Sequence, residues 1–520
     1  MFLKRTIMKN TFLKRYNKLA VFLLLAAVQT VSAQVYGDFP YTQSFNSATK
    51  PAEIILPTGA TANAAVFTTT GLELTPATNS KFGAIIIDNK KFNSAVGIKI
   101  SFEYAIYGGT GADGISVFLF DAAVTPTIGT NGRGMGYSYL RANDSYSGNR
   151  REGLSGAYLG IALDSYGNFK GDPFQGDARL NGVSAPSGGW ANSGSSHVTL
   201  RGARGGALDN KGRGAGYTGY PVLTTQSTLT PSGTSNGGAE LTALGAYSYN
   251  NGNPDNFNIR SGAYTTDPNN ANFRKAFIEL VPNAFGGYNI TVKIQHQNTV
   301  RTIIDKYWYK QSILYTENSN PENSDYNTSL NEGAATTHTL NTAIPNSFKI
   351  GFGASTGGLN DIHKIWGLEV VLPYAAEAVA DNATICKNNP VTINPYANDV
   401  AYSGPTHGIP IASSSNIDYS QFRFLNADGT TAANPFLITT TEGTFTYNST
   451  SGLVTFNPVK GFTGKAEVSY NIKGKTYPAG TFQPYGDEGF RSKKAVISVT
   501  VSKCQVITNP MLPSKSNAKY

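Results

Sequence analysis

The run Ser116-Val117-Phe118-Leu119-Phe120 constrains this chain more than any other stretch. Its side chains are apolar at alternating positions of both parities, so as a β-strand it has to be covered on both faces. Comparable runs of β-branched and aromatic residues recur at 84–87, 98–107, 157–165, 197–201, 276–281, 289–295, 302–309, 348–354 and 364–372. Gly, Pro, Asn and Asp separate them, and no window carries a sustained apolar stripe at the helical period. The 56 Gly, 29 Tyr and 27 Phe, with only 14% charged residues, suit the same reading. The expected fold class is all-β. Roughly ten long strands exceed one immunoglobulin-like unit and suit a large double-sheet jelly-roll sandwich.

The first 33 residues are expected to lie outside that sandwich. Lys4, Arg5, Lys9, Lys14, Arg15 and Lys18 form a basic leader before a short apolar core, and Val31-Ser32-Ala33 precedes Gln34 as a small-residue cleavage site. Residues 1–33 therefore read as a secretory signal peptide, and the mature protein as secreted or cell-surface. Without the leader, 42 basic residues fall to 36 against 33 acidic ones, a formal charge of +3. That is too mild to argue for nucleic acid or an anionic membrane. No second apolar run reaches the length of a membrane span.

Residues 34–373 read as the large unit and 374–382, with an Ala-Glu-Ala-Val-Ala core, as a linker. Residues 383–505 read as a smaller sandwich, with strands expected at 391–394, 421–425, 444–447, 453–457, 466–472 and 495–501, and 506–520 as a flexible tail. Cys386 and Cys504 lie near the two ends of this second unit. In an exported chain they can close one bridge; two free thiols are the alternative.

The chemistry concentrates in a turn. An apolar strand from Gly156 runs into Asp164-Ser165-Tyr166-Gly167-Asn168-Phe169-Lys170-Gly171-Asp172, which presents Asp164, Asn168 and Asp172 at four-residue steps. Carboxylate and amide oxygens crowded on one turn are what Ca2+ requires, although Asp, Asn and Gly are also ordinary turn residues. Upstream, Asp113 closes the Gly-rich stretch 108–114 before a buried strand; downstream, the strand from Phe348 ends in small residues through Gly357 and Gly358, where a ligand can approach the backbone.

Together, Gly111-Ala112-Asp113-Gly114-Ile115, Leu163-Asp164-Ser165-Tyr166-Gly167-Asn168 with Asp172, the 351–357 strand and loop, and Ile362-His363-Lys364-Ile365 resemble the L-type (legume-like) lectin family in its bacterial branch. The resemblance covers about residues 36–373 and implies a concanavalin A-like fold. It implies that Asp113, after a cis peptide, and Asn168 bind sugar hydroxyls, with Gly357, Gly358 and Gly156 at the edges of the site. It further implies Asp164, Asn168, Asp172 and the Tyr166 carbonyl as Ca2+ ligands. The family's plant members carry a transition-metal Glu two residues before the first metal Asp; Ala162 stands there, so calcium alone is expected and His197 reads as a neutral structural residue. Tyr107, Tyr158, Tyr166, Phe169 and Trp190 are open candidates for stacking on a sugar ring. In the second unit, Pro390-Val391-Thr392-Ile393-Asn394, Ala397-Asn398-Asp399 and Leu453 to Pro458 are similar to the immunoglobulin-like or cadherin-like modules of surface proteins, which implies a spacer or docking role.

The expectation is a carbohydrate-binding protein without catalysis, its partners glycans or polysaccharide. One alternative is a glycoside hydrolase, which needs two suitably spaced carboxylates; no Glu-x-Asp-x-x-Glu run is present. A protein-binding adhesin with cell-surface protein partners is the other.

Overall fold

The computed structural model describes residues 37–59, 61–139, 151–170, 179–180, 195–206, 216–229, 240–241, 247–248, 257–283, 285–317, 336–403, 410–476 and 484–504. The leader 1–33 and the tail 506–520 lie outside them, as do Gly171, Asp172 and Trp190. The described residues form strands, turns and short 3-10 segments, and no α-helix occurs among them. The fold is all-β. The chain divides at Pro373 and Tyr374 into two compact units.

In the first unit the strands that matter below are β1 (Gly71–Thr75), β2 (Phe82–Asn93), β3 (Ile98–Tyr107), β4 (Gly114–Asp121), β5 (Ala157–Asp164), β6 (His197–Arg201), β7 (Val222–Ser227), β8 (Arg274–Pro282), β9 (Tyr288–His296), β10 (Thr299–Tyr309), β11 (Ser347–Ser355) and β12 (Ile362–Val371). One sheet runs β10-β9-β8-β3-β12-β1, and the other contains β7-β6-β5-β4-β11-β2. Ile100, Phe102, Ile278 and Ile290 of the first sheet share one core with Ile115, Val117, Ile161 and Phe352 of the second, so the two pack face to face. The alternate residues Ile86, Phe118, Phe120 and Ala162 point the other way, into a second apolar cluster with Met135, Tyr137 and Tyr220. The run at 116–120 is therefore covered on both faces, as its composition requires.

The ten strands expected in this unit all exist, with ends within about three residues of the expected ones, apart from β2, which extends further. Strands at Gly71–Thr75, Val222–Ser227, Ser312–Glu317 and Thr336–Asn341 were not anticipated. They are short runs of five or six residues with mixed polar content, and pairing with neighbouring strands completes them.

In the second unit Asp381–Cys386, Ala495–Ser502, Gly464–Asn471 and Arg423–Leu425 form one sheet, and Val391–Ile393, Leu453–Pro458, Gly443–Asn448 and Leu437–Thr439 another. Phe422, Phe424, Phe445, Phe456 and Tyr470 fill a shared core. Cys386 and Cys504 are bonded. The expected linker 374–382 differs from a free tether: Ala376 is buried in this core, Glu377 bridges to Val400, and Asp381 starts a strand parallel to Ala495–Ser502. Small side chains that look like linker composition also fit a close-packed interior.

One buried polar group in this unit sets a pH response. The Tyr470 hydroxyl lies 3.0 Å from Asp381 Oδ2 and 3.0 Å from Asp399 Oδ2, while the Val379 amide donates to Asp399 Oδ1 at 2.7 Å. A hydroxyl has one proton and cannot serve both carboxylates at once. Burial, against those bonds, pushes Asp399 up to about 7 and raises Asp381 as well. A carboxyl raised on folding makes the folded state the better proton binder, so stability falls as pH rises from the ordinary carboxylate range to about 7. The melting temperature of the second unit should drop over that window. Asp399→Asn should flatten the profile; an equally steep one in the variant would refute the assignment.

Candidate functional site

Three connections cross between the sheets at one end of the first unit. Residues 76–81 join β1 to β2, 108–113 join β3 to β4, and 356–361 join β11 to β12. The pairings Gly114 with Asp164, Ser355 with Gly114 and Ile362 with Tyr107 put the ends of β5, β4, β11, β12 and β3 together there. The antiparallel register thus carries Asp113, Asp164 and the 356–358 loop to one edge.

Backbone bonds lock these segments to each other. The Asp113 carbonyl accepts from the amides of Ser165 (3.1 Å) and Tyr166 (3.4 Å), and the Ser165 hydroxyl donates to the Ala112 carbonyl. The amides of Thr110 and Gly111 donate to the Asn360 carbonyl at 2.7 and 3.2 Å, and the Ser80 amide donates to the Gly357 carbonyl at 3.1 Å. A Cβ placed on Gly357 or Gly358 would meet nothing within 4 Å, so this rim is open. The Ala112–Asp113 peptide is trans, contrary to the expectation; the cis bond among the described residues is Phe39–Pro40.

The turn after β5 is built around Asp164, which is fully buried. Its Oδ1 accepts from the Gly167 amide at 2.7 Å and its Oδ2 from the Lys170 amide at 3.2 Å, so the carboxylate folds the turn back on itself. Gly167 holds φ +104°, which a residue with a side chain rarely adopts. Burial pushes the Asp164 carboxyl up to about 6, against the attraction of Lys170 and the two amides. Asn168 is 8% exposed and Asp113 7%, whereas Tyr166 is 46% exposed. Among the described aromatic candidates, Tyr158 and Phe169 are buried in the two apolar clusters and Tyr107 is half-buried, whereas the Tyr166 ring stands out of this turn.

Two buried cations brace the same turn, and the local sequence pattern did not single out either. Lys170 Nζ lies 2.9 Å from His197 Nδ1, with both residues fully buried. Burial first and Lys170 second hold His197 well below its usual range, so it stays neutral. Arg201 donates through Nε to the Phe169 carbonyl at 2.8 Å and lies over the Phe169 ring. Ala162 packs in the apolar cluster, and His197 lies opposite Asp164 in the paired strands β6 and β5.

Gly156 is not part of this end. It precedes β5, where Ala157 pairs with Phe120, and its carbonyl accepts from Asp121. The length of β5 separates it from Asp164 by roughly 25 Å. The sequence places Gly156 and Asp164 in one stretch, but an extended strand carries its two ends apart.

The oxygen donors expected for calcium are Asp164, Asn168 and the Tyr166 carbonyl, with Asp172 outside the described residues. They are hard ligands of the type that ion takes. Among the described residues no group of three or more His, Cys, Asp or Glu side chains gathers. The Lys170 charge acts on Asp164, and so it opposes a divalent ion at the same carboxylate.

Asp361 and Arg260 also belong to this end. Asp361 is fully buried and Arg260 forks onto it, with Nε to Oδ2 at 2.8 Å and Nη2 to Oδ1 at 2.7 Å. Next to them, burial pushes His363 down to about 4, and its Nδ1 lies 2.6 Å from Thr75 Oγ1.

No family model matches the sequence, and no curated protein matches it. The solved structures to which the chain is similar include lectin domains. The VIP36 exoplasmic/lumenal domain in its Ca2+/Man3GlcNAc-bound form is 12% identical, over 62% of this chain and 87% of that one, with a TM-score of 0.30. The metal-free Emp46p carbohydrate recognition domain is 10% identical over 64% and 95%, with a TM-score of 0.31. Metal-free lectin I-B4 from Griffonia simplicifolia is 11% identical over 64% and 98%, with a TM-score of 0.29. Superpositions this loose do not relate individual residues of the two chains.

Proposed function

We propose that the first unit binds carbohydrate at the loop end of its sandwich, without catalysis. The observation that carries this reading is the joining of Asp113, the 164–170 turn and the open Gly357–Gly358 rim at one edge. A carboxylate and an amide at the floor of such a site can match the paired donors and acceptors of a hexose, and the exposed Tyr166 ring offers a face for its apolar side. The chain is read as a secreted or surface protein, and the second unit as an immunoglobulin-like or cadherin-like spacer. The direct test is binding to neoglycoproteins bearing mannose, galactose or N-acetylglucosamine. Saturable binding that free sugar displaces is expected; failure on a broad glycan array would sink the reading.

Calcium belongs to the same proposal, held by Asp164, Asn168, the Tyr166 carbonyl and Asp172. With Lys170 beside Asp164, the affinity should fall in the weak range of about 10⁻⁴–10⁻³ M. Lys170→Met takes a buried charge from a charged neighbourhood and should cost about 3 kcal/mol in calcium-free buffer. Millimolar calcium should return part of that loss, as read by calorimetry. If calcium moves the melting temperature of neither protein, it is not a ligand of this turn.

A further inference from the structure

We propose that Arg260 and Asp361 act as a clamp that sets the position of Asp113, a role that rests on the carbohydrate-binding reading of this edge.

The stretch 108–114 cannot hold a shape by itself. Four of its seven residues are Gly, and Gly108, Gly111 and Gly114 all take positive φ. Such a segment has many accessible conformations, so its order has to come from bonds made to other parts of the chain. Asp361 supplies two of them on opposite sides of the loop. Its Oδ1 accepts from the Gly109 amide at 3.0 Å, and its Oδ2 accepts from the Ala112 amide at 3.1 Å. The second bond falls on the residue immediately before Asp113.

Arg260 makes that arrangement possible. A fully buried carboxylate needs a compensating charge and partners for both of its oxygens. The guanidinium meets both oxygens in a two-point fork, and its Nη2 also donates to the Gly109 carbonyl at 3.0 Å. Gly109 is thus held through its amide by Asp361 and through its carbonyl by Arg260. The Arg260 side chain is 29% exposed while that of Asp361 is fully buried, so Arg260 covers the carboxylate from the solvent side.

The base of the clamp is rigid. Arg260 lies between Ile259, whose amide donates to Ser196 Oγ at 2.8 Å, and Ser261, whose Oγ accepts from the Ile106 amide at 3.2 Å. Asp361 immediately precedes β12. A charged fork between two fastened segments fixes the loop more tightly than neutral bonds do. Arg260 and Asp361 are positioning residues: they act on the loop that carries Asp113.

The experiment uses the full chain and Arg260→Gln, Arg260→Lys and Asp361→Asn, each read two ways. Hydrogen exchange reports the clamp whether or not a sugar binds. In Arg260→Gln the amides of 108–114 should exchange about tenfold faster or more, while β4 and β11 keep their protection. Arg260→Lys keeps the charge without the fork and should fall between that variant and the native chain. Unchanged exchange in 108–114 overturns the proposal, and so does loss of protection throughout the sandwich in Arg260→Gln. Asp361→Asn should loosen the same segment; if it fails to fold, Arg260→Gln alone decides. Mannose, galactose and N-acetylglucosamine neoglycoproteins then separate the clamp from the reading beneath it. Weaker binding by Arg260→Gln, by about tenfold with a melting temperature near native, supports the clamp. Native-like binding by Arg260→Gln alongside loss in Asp113→Asn overturns the clamp and leaves the carbohydrate reading standing. Native-like binding by Asp113→Asn takes Asp113 out of the sugar site and overturns the role proposed for the clamp, whereas no binding by the native chain overturns the carbohydrate reading.

Discussion

Asp113→Asn is expected to fold normally and to bind sugar-bearing neoglycoproteins about 100-fold more weakly than the native chain. The substitution keeps the size and shape of the side chain and leaves untouched the backbone bonds that hold residue 113, its carbonyl to the Ser165 and Tyr166 amides. It removes the charge. A carboxylate accepting from two hydroxyls makes charge-assisted bonds worth about 1.5–3 kcal/mol each, and an amide with one acceptor replaces at most one of them at neutral strength. Asp113 is 7% exposed, so little water is available to compensate. Calorimetric titration with the competing free sugar measures the loss, and circular dichroism with a thermal melt checks the fold. A variant that binds as the native chain does would remove Asp113 from the site.

Replacing Cys386 or Cys504 with Ser should have the largest effect on stability. The bond closes a span of 118 residues, which in the chain-entropy picture removes about 4–5 kcal/mol of unfolded-state freedom. It also fastens the end of Asp381–Cys386, whose partner Ala495–Ser502 runs parallel to it with Cys386 opposite Ser502. Two parallel neighbours cannot be joined by a tight hairpin, so their pairing depends on distant chain being brought together. Denaturant unfolding of either single variant, or of the native chain under reductant, should show the second unit melting well before the first. If the two units keep their order and midpoints after reduction, the bridge contributes little.

The all-β class was legible because it depends on short-range pattern. The run at 116–120 had to be buried on both sides, and it is, between the shared core and the cluster around Tyr137. The ends of the strands were legible for the same reason, whereas the meeting of Asp113 and Asp164 beside paired β4 and β5 was implied only by the family resemblance. Strands rich in Thr and Gln, such as Val222–Ser227, were not legible, because their stability lies in neighbours far along the chain. The burial of Ala376 in the Ala-rich segment after Pro373 was not legible either: a small side chain is equally at home in a tether and in a packed core.

By itself, then, the sequence determined which apolar runs are strands and which turns carry oxygen donors. Those properties follow from residues within a few positions of each other, where side-chain period and turn chemistry act. The tertiary structure decided what surrounds the donors. It moved Gly156 to the far end of β5, buried Lys170 against His197, and set Arg260 on Asp361 across 101 residues and Asp361 on Gly109 across 252. No local pattern encodes such partners. They are chosen where two sheets close on one another, because a charge buried there persists only beside a group that compensates it.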